Sequence, residues 1–256
     1  YCGPGCHAPK RTVAVQVYDH AEQVVCWIKL ETTGYVEDVV VLPGTAGSAE
    51  DQVYYVVNRT INAATVRYLE KWALEAECQG TYSTSPTLNK QADAFVIAAG
   101  GSTTLTGLTH LVGASVVVWA NGKDLGTYTV SAAGEITVSE AVGADGAVVG
   151  LTYTARFKSA KLGQTLSKHK NVDHLAPILH NTHARGLLIG PDFTNMDALP
   201  LMFEGTPVDP DRVYAAYDVE SQEFPGTWDV DARICLKATA PRPCTVLAAV
   251  IEGQVT

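Results

Sequence analysis

The stretch SVVVWANGKDLGTYTV, residues 115–130, decides the fold class of this chain. It consists of two alternating apolar runs separated by Asn121-Gly122. Asn-Gly between such runs is a strong short-range hairpin signal, because both central residues of a type I′ turn need positive φ. Further short strands are predicted at Glu135–Ser139 and Gly150–Phe157. We therefore predict a small β-barrel or sandwich over residues 98–160.

The residues before this module alternate with the period of two that is typical of strands. Predicted strands cover Arg11–Tyr18, Glu22–Leu30, Val36–Leu42, Asp51–Arg59 and Thr65–Leu69, with a hairpin tip at residues 62–64. Short strands at this spacing predict a meander, the unit of a propeller blade or sandwich. Residues 68–77 are the exception, because apolar residues at helical spacing among strong helix formers predict a short helix there.

The pattern of strands resumes after the central module. Strands are predicted at Val172–Leu179, Gly186–Ile189, Tyr214–Glu220, Arg233–Ala238 and Val246–Ile251. The chain is thus predicted to be all-β, a propeller-like β-sheet region with an inserted small β-barrel or sandwich. Its expected parts are residues 1–97, the first part of the propeller-like region; 98–160, the insertion; and 161–256, a C-terminal β region that packs back on the first.

Composition excludes several classes of protein. Apolar residues make up 46% of the 256 residues and charged residues 18%, which is enough apolar material for a packed core. The absence of any run of eighteen apolar residues disfavours a membrane span. The net charge of −9, without a cluster of basic residues, disfavours binding to nucleic acid through its phosphates. Because the chain begins at Tyr1, we expect it to be the C-terminal portion of a longer product.

The six cysteines do not form a recognisable motif. Cys2 and Cys6 are separated by three residues, where redox and haem-attachment motifs require two. The others, such as Cys26 and Cys235, lie in apolar runs in which a free cysteine is expected to behave as a small hydrophobic residue. Nothing in this pattern requires an oxidising compartment.

Four histidines occur within fifteen residues, at His169, His174, His180 and His183. Imidazole is the commonest metal ligand, so a metal site is one interpretation of this cluster. On one strand, however, His174 and His180 would lie about 20 Å apart, too far to share an ion. We predict no metal site, and the role of the cluster is left open.

Motifs for catalysis are missing from the sequence. It contains neither Gly-x-Ser-x-Gly nor His-Glu-x-x-His, and Gly100-Gly101 is not followed by the residues of a phosphate-binding loop. Pairs of acids that could serve as catalytic carboxylates, or at the last pair as a calcium site, are Glu37/Asp38, Glu50/Asp51 and Asp209/Asp211. All are placed at turns or strand edges, where acids usually solvate the chain. We therefore predict that the chain is not an enzyme, and that it has no catalytic residues and binds no cofactor.

The four tryptophans raise the question of a sugar-binding platform. Each lies in an apolar or alternating run, so packing in the core or at an interface is favoured over sugar binding. These residues are Trp27, Trp72, Trp119 and Trp228.

The order and spacing of many short segments resemble the tail nozzle and hub proteins of short-tailed bacteriophages, known as tail tubular protein B or phage stabilisation proteins. The resemblance covers residues 11–256. In the segment Val116–Gly122, Asn121 stands where the family usually has an acidic residue. The segments are Val24–Gly34, Val36–Pro43, Glu50–Val57, Val66–Glu70, Gly107–Gly113, Val116–Gly122, Gly150–Tyr153, Asn181-Thr182, Gly186–Gly190, Trp228 and Pro243–Ala248.

This resemblance implies a structural protein of the virion, in the viral tail. Its implied partners are copies of itself in a homo-oligomeric ring, expected to be a hexamer, and other tail proteins such as an adaptor, fibre or spike. Genomic DNA would pass through the tail tube during genome ejection without specific binding. The alternatives are a receptor- or carbohydrate-binding β module at the tail tip and a glycan hydrolase of sandwich or propeller fold.

Overall fold

The chain folds almost entirely into β-strands. The computed structural model describes residues 10–21, 23–44, 50–74, 77–78, 88–163, 167–203, 205–216 and 221–256. The described strands form several antiparallel sheets, none of them closed, and the described residues contain no α-helix. The all-β prediction is confirmed, whereas the propeller-like and barrel arrangements stay predictions.

The N-terminal sheet is a meander of four antiparallel strands in the order β1-β2-β3-β4. These strands are β1 (Lys10–Asp19), β2 (Val24–Leu42), β3 (Gln52–Ile61) and β4 (Ala64–Lys71). The two strands predicted at Glu22–Leu30 and Val36–Leu42 are therefore parts of one strand of 19 residues.

Strand β2 changes its partner along its length. Residues 24–31 pair with β1, and residues 35–42 pair with β3, while Val36 also pairs with Lys10 at the start of β1. Gly34 lies between the two segments, where a Cβ atom would come within 2.6 Å of Val57 Cγ1 and 2.8 Å of the Asn58 carbonyl oxygen. Glycine thus permits the close approach of β2 to β3 at this point. On the β1 side, residues 24–31 and β1 form a two-stranded ribbon, which we term the ribbon.

The hairpin between β3 and β4 turns where the sequence predicts it. Asn62 and Ala63 have φ values of 48° and 62°, and β4 begins at the next residue. The short helix predicted over Tyr68–Glu77 is wrong, because residues 68–71 form the end of β4 and pair with residues 54–57 of β3. Cross-strand pairing here outweighs the intrinsic helix propensity of these residues. Residues 75 and 76 of that prediction lie outside the described residues.

A central unit, residues 93–151, contains the largest buried apolar cluster of the described residues. Its main sheet has the order β5-β10-β7-β8, and β6 pairs with β9 beside it. A 3-10 helix at Thr109–Leu111 precedes β7. The strands are β5 (Asp93–Ala98), β6 (Thr104–Leu105), β7 (Ser115–Ala120), β8 (Lys123–Thr129), β9 (Ile136–Thr137) and β10 (Ala147–Leu151). The buried apolar core comprises Leu105, Leu108, Leu111, Val116, Val118, Val130, Ile136, Val138, Val142 and Val149.

The predicted hairpin at Asn121-Gly122 joins β7 to β8. The φ values of 54° and 74° at its two residues confirm the reason for the prediction. The Asn121 amide also donates to Glu140 Oε1 (2.7 Å) and to the Ala141 carbonyl (3.0 Å), and its oxygen accepts from Gly143 N (2.9 Å). An acid at this position could not donate the first two bonds, so the asparagine contributes more than a suitable turn conformation.

The C-terminal unit contains two larger sheets that share one core. One sheet has the order β11-β19-β13-β14, and the other has the order β17-β12-β18, with β20 also paired with β12. A small hairpin joins β15 to β16. The strands are β11 (Thr154–Lys158), β12 (Lys170–His183), β13 (Leu187–Gly190), β14 (Asp197–Ala198), β15 (Met202–Phe203), β16 (Thr206–Pro207), β17 (Val213–Ala216), β18 (Gln222–Glu223), β19 (Cys235–Thr239) and β20 (Thr245–Val255). Their shared core comprises Val172, Leu175, Leu179, Leu187, Ile189, Leu199, Phe224 and Ile234.

The strand pairing can be compared with the predicted division of the chain into three parts. Strand β5 begins at Asp93 and pairs with β10 inside the central unit. Strand β11 ends at Lys158 and pairs with β19 of the C-terminal unit. The boundaries at residues 97/98 and 160/161 themselves stay predictions. Residues 217–220 of the predicted strand Tyr214–Glu220 lie outside the described residues.

A buried arginine fastens the N-terminal sheet to the central unit. The Arg59 side chain is 4% exposed, and its Nε and Nη2 atoms donate to the two carboxylate oxygens of Glu70 at 2.6 and 2.7 Å. Nη2 also donates to Asp93 Oδ1 (3.0 Å) on β5, and Nη1 donates to Thr33 Oγ1 (2.8 Å) on β2. One guanidinium thus joins three strands of the sheet to the first strand of the central unit. Bidentate, charge-assisted bonds of this kind are both strong and geometrically specific.

A second junction joins the central unit to the C-terminal unit. The fully buried Trp119 on β7 packs with Val213 and meets the His183 ring edge-on, with the ring centroids 6.0 Å apart. Beside them, Arg242 Nε donates to Asp124 Oδ2 at 2.9 Å. The three parts of the chain are therefore connected through specific polar and aromatic contacts.

Replacing Arg59 tests the first junction. We expect Arg59→Met to lower the free energy of unfolding by about 2–4 kcal/mol, because Glu70 and Asp93 would lose their buried counter-ion. Arg59→Lys should recover only part of this loss, since an ammonium cannot form the bidentate pair. Equilibrium denaturation in urea measures both changes.

The matched control is Arg67→Met. Arg67 makes a similar pair with Glu37 (2.6 Å), but its side chain is 67% exposed. Solvent screens such a pair, so this variant should unfold at nearly the same urea concentration as the unaltered chain. Equal destabilisation by the two variants would contradict the role assigned to Arg59.

Candidate functional site: uncovered apolar sheet and free strand edges

The ribbon exposes apolar side chains on both of its faces. Tyr18 lies opposite Val25, and Trp27 lies two residues further along on the same face. All three are exposed, Trp27 by 66%. On the other face, Val17 and Ile28 are also exposed. An apolar ribbon without cover on either side is a costly surface for a water-exposed chain.

The uncovered surface continues at the far end of β2. Residues 39–42, Val-Val-Val-Leu, are all exposed, and successive residues of a strand point to opposite faces. Leu69 on β4, 67% exposed, lies opposite Val56 of β3. Trp72 packs its ring 5.9 Å from that of Tyr55 and is itself exposed. We term the ribbon, residues 39–42, Leu69 and Trp72 together the apolar sheet.

Strand β20 presents a second uncovered apolar surface. Ten of its eleven residues are exposed, and the remaining one, Val246, is half-buried. Among the described residues β20 pairs with β12 alone, so its other edge carries unpaired backbone groups. Its exposed apolar side chains are Leu247, Val250, Ile251 and Val255.

Long segments of two described edge strands lack the charges that usually protect edges. Natural proteins place lysine and other charged residues on edge strands to prevent them from pairing with other chains. Edge strand β4 follows this rule with Arg67, Glu70 and Lys71. By contrast, Thr12–Tyr18 of β1 and Thr245–Ile251 of β20 contain no charged residue, and each strand has a single described partner.

The sequence predicts these two strands but not their position at the edges of their sheets. The signal was present, since TVAVQVY and TVLAAVI are both uncharged segments of seven residues. What the sequence did not reveal is that both strands lie at the edge of their sheets. That depends on pairing with residues far away in the chain, such as β20 with β12.

The histidine cluster does not converge on a metal site. His174 and His180 lie on β12, His183 ends it, and His169 precedes it. Within the described part of the chain no group of three or more His, Cys, Asp or Glu residues is placed to hold a metal ion. His180 Nε2 instead lies 3.0 Å from the Asn181 side-chain amide, and His174 lies opposite Glu223.

His183 has a structural position at the second junction. It is 1% exposed, and its Nδ1 accepts a hydrogen bond from Arg185 N at 3.1 Å. The neutral ring therefore carries its proton on Nε2, which has no partner among the described residues. Burial, with a smaller effect of the Arg242 charge, lowers the pKa of His183 to about 4. The histidine is neutral at physiological pH, since its charged form would be desolvated.

The candidate acid pairs are held in structural contacts. Glu37 pairs with Arg67 and accepts from Asn58, and the hydrogen bond from Arg67 is the main cause of its lowered pKa. Asp51 accepts from Gly44 N at 3.1 Å. Asp209 pairs with Arg212 (2.9 Å), and Asp211 pairs with Arg185 (3.4 Å).

A small cavity lies beside strands β11 and β19 of the C-terminal unit. Its volume is about 120 Å³, and its polar lining residues are Gln91, Tyr153, Thr239, Arg242 and Cys244. Burial raises the pKa of Tyr153 to about 12 and that of Cys244 to about 11, so both side chains are protonated at neutral pH. Its described lining contains no carboxylate, whereas a glycan hydrolase uses a pair of them.

The cysteines and tryptophans differ in their exposure. Cys26 is exposed on the apolar ribbon, whereas Cys235 is buried. Cys2 and Cys6 lie outside the described residues. Trp119 is a core residue, but the other three tryptophans are exposed, and two of them belong to the apolar sheet.

Comparison with known proteins finds no match for this chain. No protein-family model matches the chain, and no curated protein shows significant sequence similarity to it. Among the described residues, no helix is long and apolar enough to cross a membrane.

The buried histidine predicts a specific loss of stability in acid. In the unfolded chain the pKa of His183 returns to about 6.5, so the unfolded state takes up a proton that the folded state refuses as the pH falls from about 6.5 to about 4. Between pH 7 and pH 5 we expect the free energy of unfolding to fall by about 2 kcal/mol from this group, at about 1.4 kcal/mol per pH unit. Urea denaturation at a series of pH values measures the slope.

The variant His183→Asn is the corresponding control. Its side-chain oxygen can still accept from Arg185 N, but it cannot take up a proton. We expect this variant to be less stable at pH 7 and nearly independent of pH between 7 and 5. The carboxyl groups with lowered pKa values titrate below their ordinary range. They therefore affect the pH dependence of stability below pH 5, outside the measured range. A variant that keeps the slope of the unaltered chain would contradict the assignment.

Proposed function

We propose that the chain is a structural subunit of a bacteriophage tail nozzle or hub, and that it assembles with copies of itself into a ring around the path of the genome. The observation that carries the proposal is an apolar sheet uncovered on both faces, together with two unprotected strand edges. Contiguous apolar patches larger than a few hundred Å² are rare on monomers and mark sites of interaction. Self-assembly is the use that requires no further component.

The resemblance to tail nozzle and hub proteins supports the same class of function. Its central run, Gly107–Gly113 followed by Gly122, coincides with backbone that needs glycine, since these three glycines have φ values of 85°, 76° and 74°. His110 of this run lies 3.0 Å from the Ala94 carbonyl and packs edge-on against Tyr68 of the N-terminal sheet. The quoted residues thus shape the central unit and its contact with that sheet.

Charge is compatible with a conduit for DNA. A net charge of −9 on each copy, repeated around a ring, would repel phosphates if acids line the channel. Repulsion lets the genome pass without being held. The proposal therefore includes no site for specific binding of DNA.

A receptor- or carbohydrate-binding module is the second candidate. Trp228 is exposed beside Asp229, an arrangement found where sugars stack on an aromatic ring. The nearby Asp231 is engaged by Arg233 and Lys161, which leaves fewer free carboxylates for a ligand. Retention on a glycan array by this chain, lost in Trp228→Ala, would favour this candidate.

Self-assembly can be tested on the purified chain. We expect sedimentation to show association that grows with concentration, and negative-stain electron microscopy to show closed rings with an axial opening. The rings should not retain duplex DNA at physiological salt in a filter-binding assay. A stable subunit contact is expected to bury well over 1,000 Å² in total.

Variants of the apolar sheet provide the specificity control. Trp27→Ser with Leu69→Ser should weaken assembly at least tenfold, because both side chains are exposed in the single chain and would be buried only on assembly. The exposed pair Thr127→Ser with Thr129→Ser on β8 should leave assembly unchanged. A chain that remains a monomer at every concentration would overturn the proposal.

A further inference from the structure

We propose that the outer edge of β1 in one copy pairs with the outer edge of β20 in the next copy, so that the N-terminal sheet of one subunit continues into the β12–β20 sheet of its neighbour. This inference rests on the proposed self-assembly and identifies the contact that would produce it. The occupant of each free edge is a second copy of this chain.

The two edges match in length and in chemistry. Thr12–Tyr18 and Thr245–Ile251 each run for seven residues without a charge or a proline, about 24 Å at 3.4 Å per residue. Pairing would satisfy the unpaired backbone groups of both strands at once. It would also set exposed side chains of β1, such as Tyr18, beside those of β20, such as Val250, so that each covers the other.

A third strand would stabilise the ribbon. A two-stranded ribbon is at best marginally stable in water, whereas three strands with an apolar face are stable. Along residues 24–31 the ribbon has only two described strands, and both of its faces are apolar. A neighbouring β20 supplies the third strand at the β1 edge.

Two other edge strands of similar length, β4 and β8, fit this role less well. Strand β4 carries three charges in eight residues, and β8 carries Lys123, Asp124 and a register irregularity opposite Val118/Trp119. Charges and bulges are the features that block pairing at edges. Because the two unprotected edges belong to different parts of the chain, their contact is head-to-tail, and repeated head-to-tail contacts close into a ring when the rotation permits.

Paired lysine substitutions test this contact. Gln16→Lys with Tyr18→Lys charges the β1 edge, and Ala248→Lys with Val250→Lys charges the β20 edge. All four side chains are exposed, and Thr127→Lys with Thr129→Lys on β8 adds the same charge as a matched control. Sedimentation equilibrium over a hundredfold range of concentration measures assembly, and thermal unfolding checks that each chain is folded. If a double variant fails to fold, Gln16→Lys and Val250→Lys serve alone.

The decisive measurement is the mixture of the two edge variants. Each alone should associate at least tenfold more weakly than the unaltered chain, because one of its two edges is blocked. Mixed in equal amounts they should form dimers and nothing larger, because each supplies the edge that the other lacks. The β8 control should assemble as the unaltered chain does.

The outcomes separate this inference from the proposed function. If the unaltered chain assembles but either edge variant does so equally well, or if the mixture forms no dimer, the β1–β20 contact is wrong while self-assembly stands. Normal dimers of the β1 variant alone would indicate β20–β20 pairing and would overturn the inference in the same way. If the unaltered chain never assembles, the proposed function fails, and the inference fails with it.

Discussion

The arrangement of the whole N-terminal sheet depends on one buried guanidinium. Arg59 connects Glu70 and Thr33 within the sheet to Asp93 on the first strand of the central unit. Removing a charge from water is costly, so such a contact is stable only where its geometry is satisfied completely. Thr32 completes it by donating to the second oxygen of Asp93 at 2.8 Å. The sheet is therefore fixed to the central unit by a directional polar contact.

This mode of attachment explains why so much apolar surface is left uncovered. The buried apolar clusters of the described chain lie mainly in the central and C-terminal units. Of the apolar side chains described in the N-terminal sheet, only Val57 is buried. A sheet held through polar contacts at Arg59 and through His110 and Tyr68 does not need its own core to stay in place. Its apolar side chains thus remain available for contact with another chain.

The sequence predicts most of the strands because their signals are local. Asn121-Gly122 requires positive φ, and alternation identifies β1, β3 and β7 within a few residues of their ends. The helix predicted at Tyr68–Glu77 fails because its first residues gain more from pairing with β3 than from local helix propensity. The close approach at Gly34, the exposure of Cys26 and the free edges all depend on distant pairing, which no local pattern encodes.

Amide hydrogen exchange at several concentrations tests most directly whether copies of the chain cover these surfaces. Mass spectrometry of peptides from β1, β20 and β8 would report exchange in concentrated and in dilute samples. We predict that amides of β1 and β20 become protected as concentration rises, because unpaired edge groups then gain partners, while those of β8 do not change. Exchange in β1 and β20 that is fast and independent of concentration would contradict assembly through the uncovered sheet.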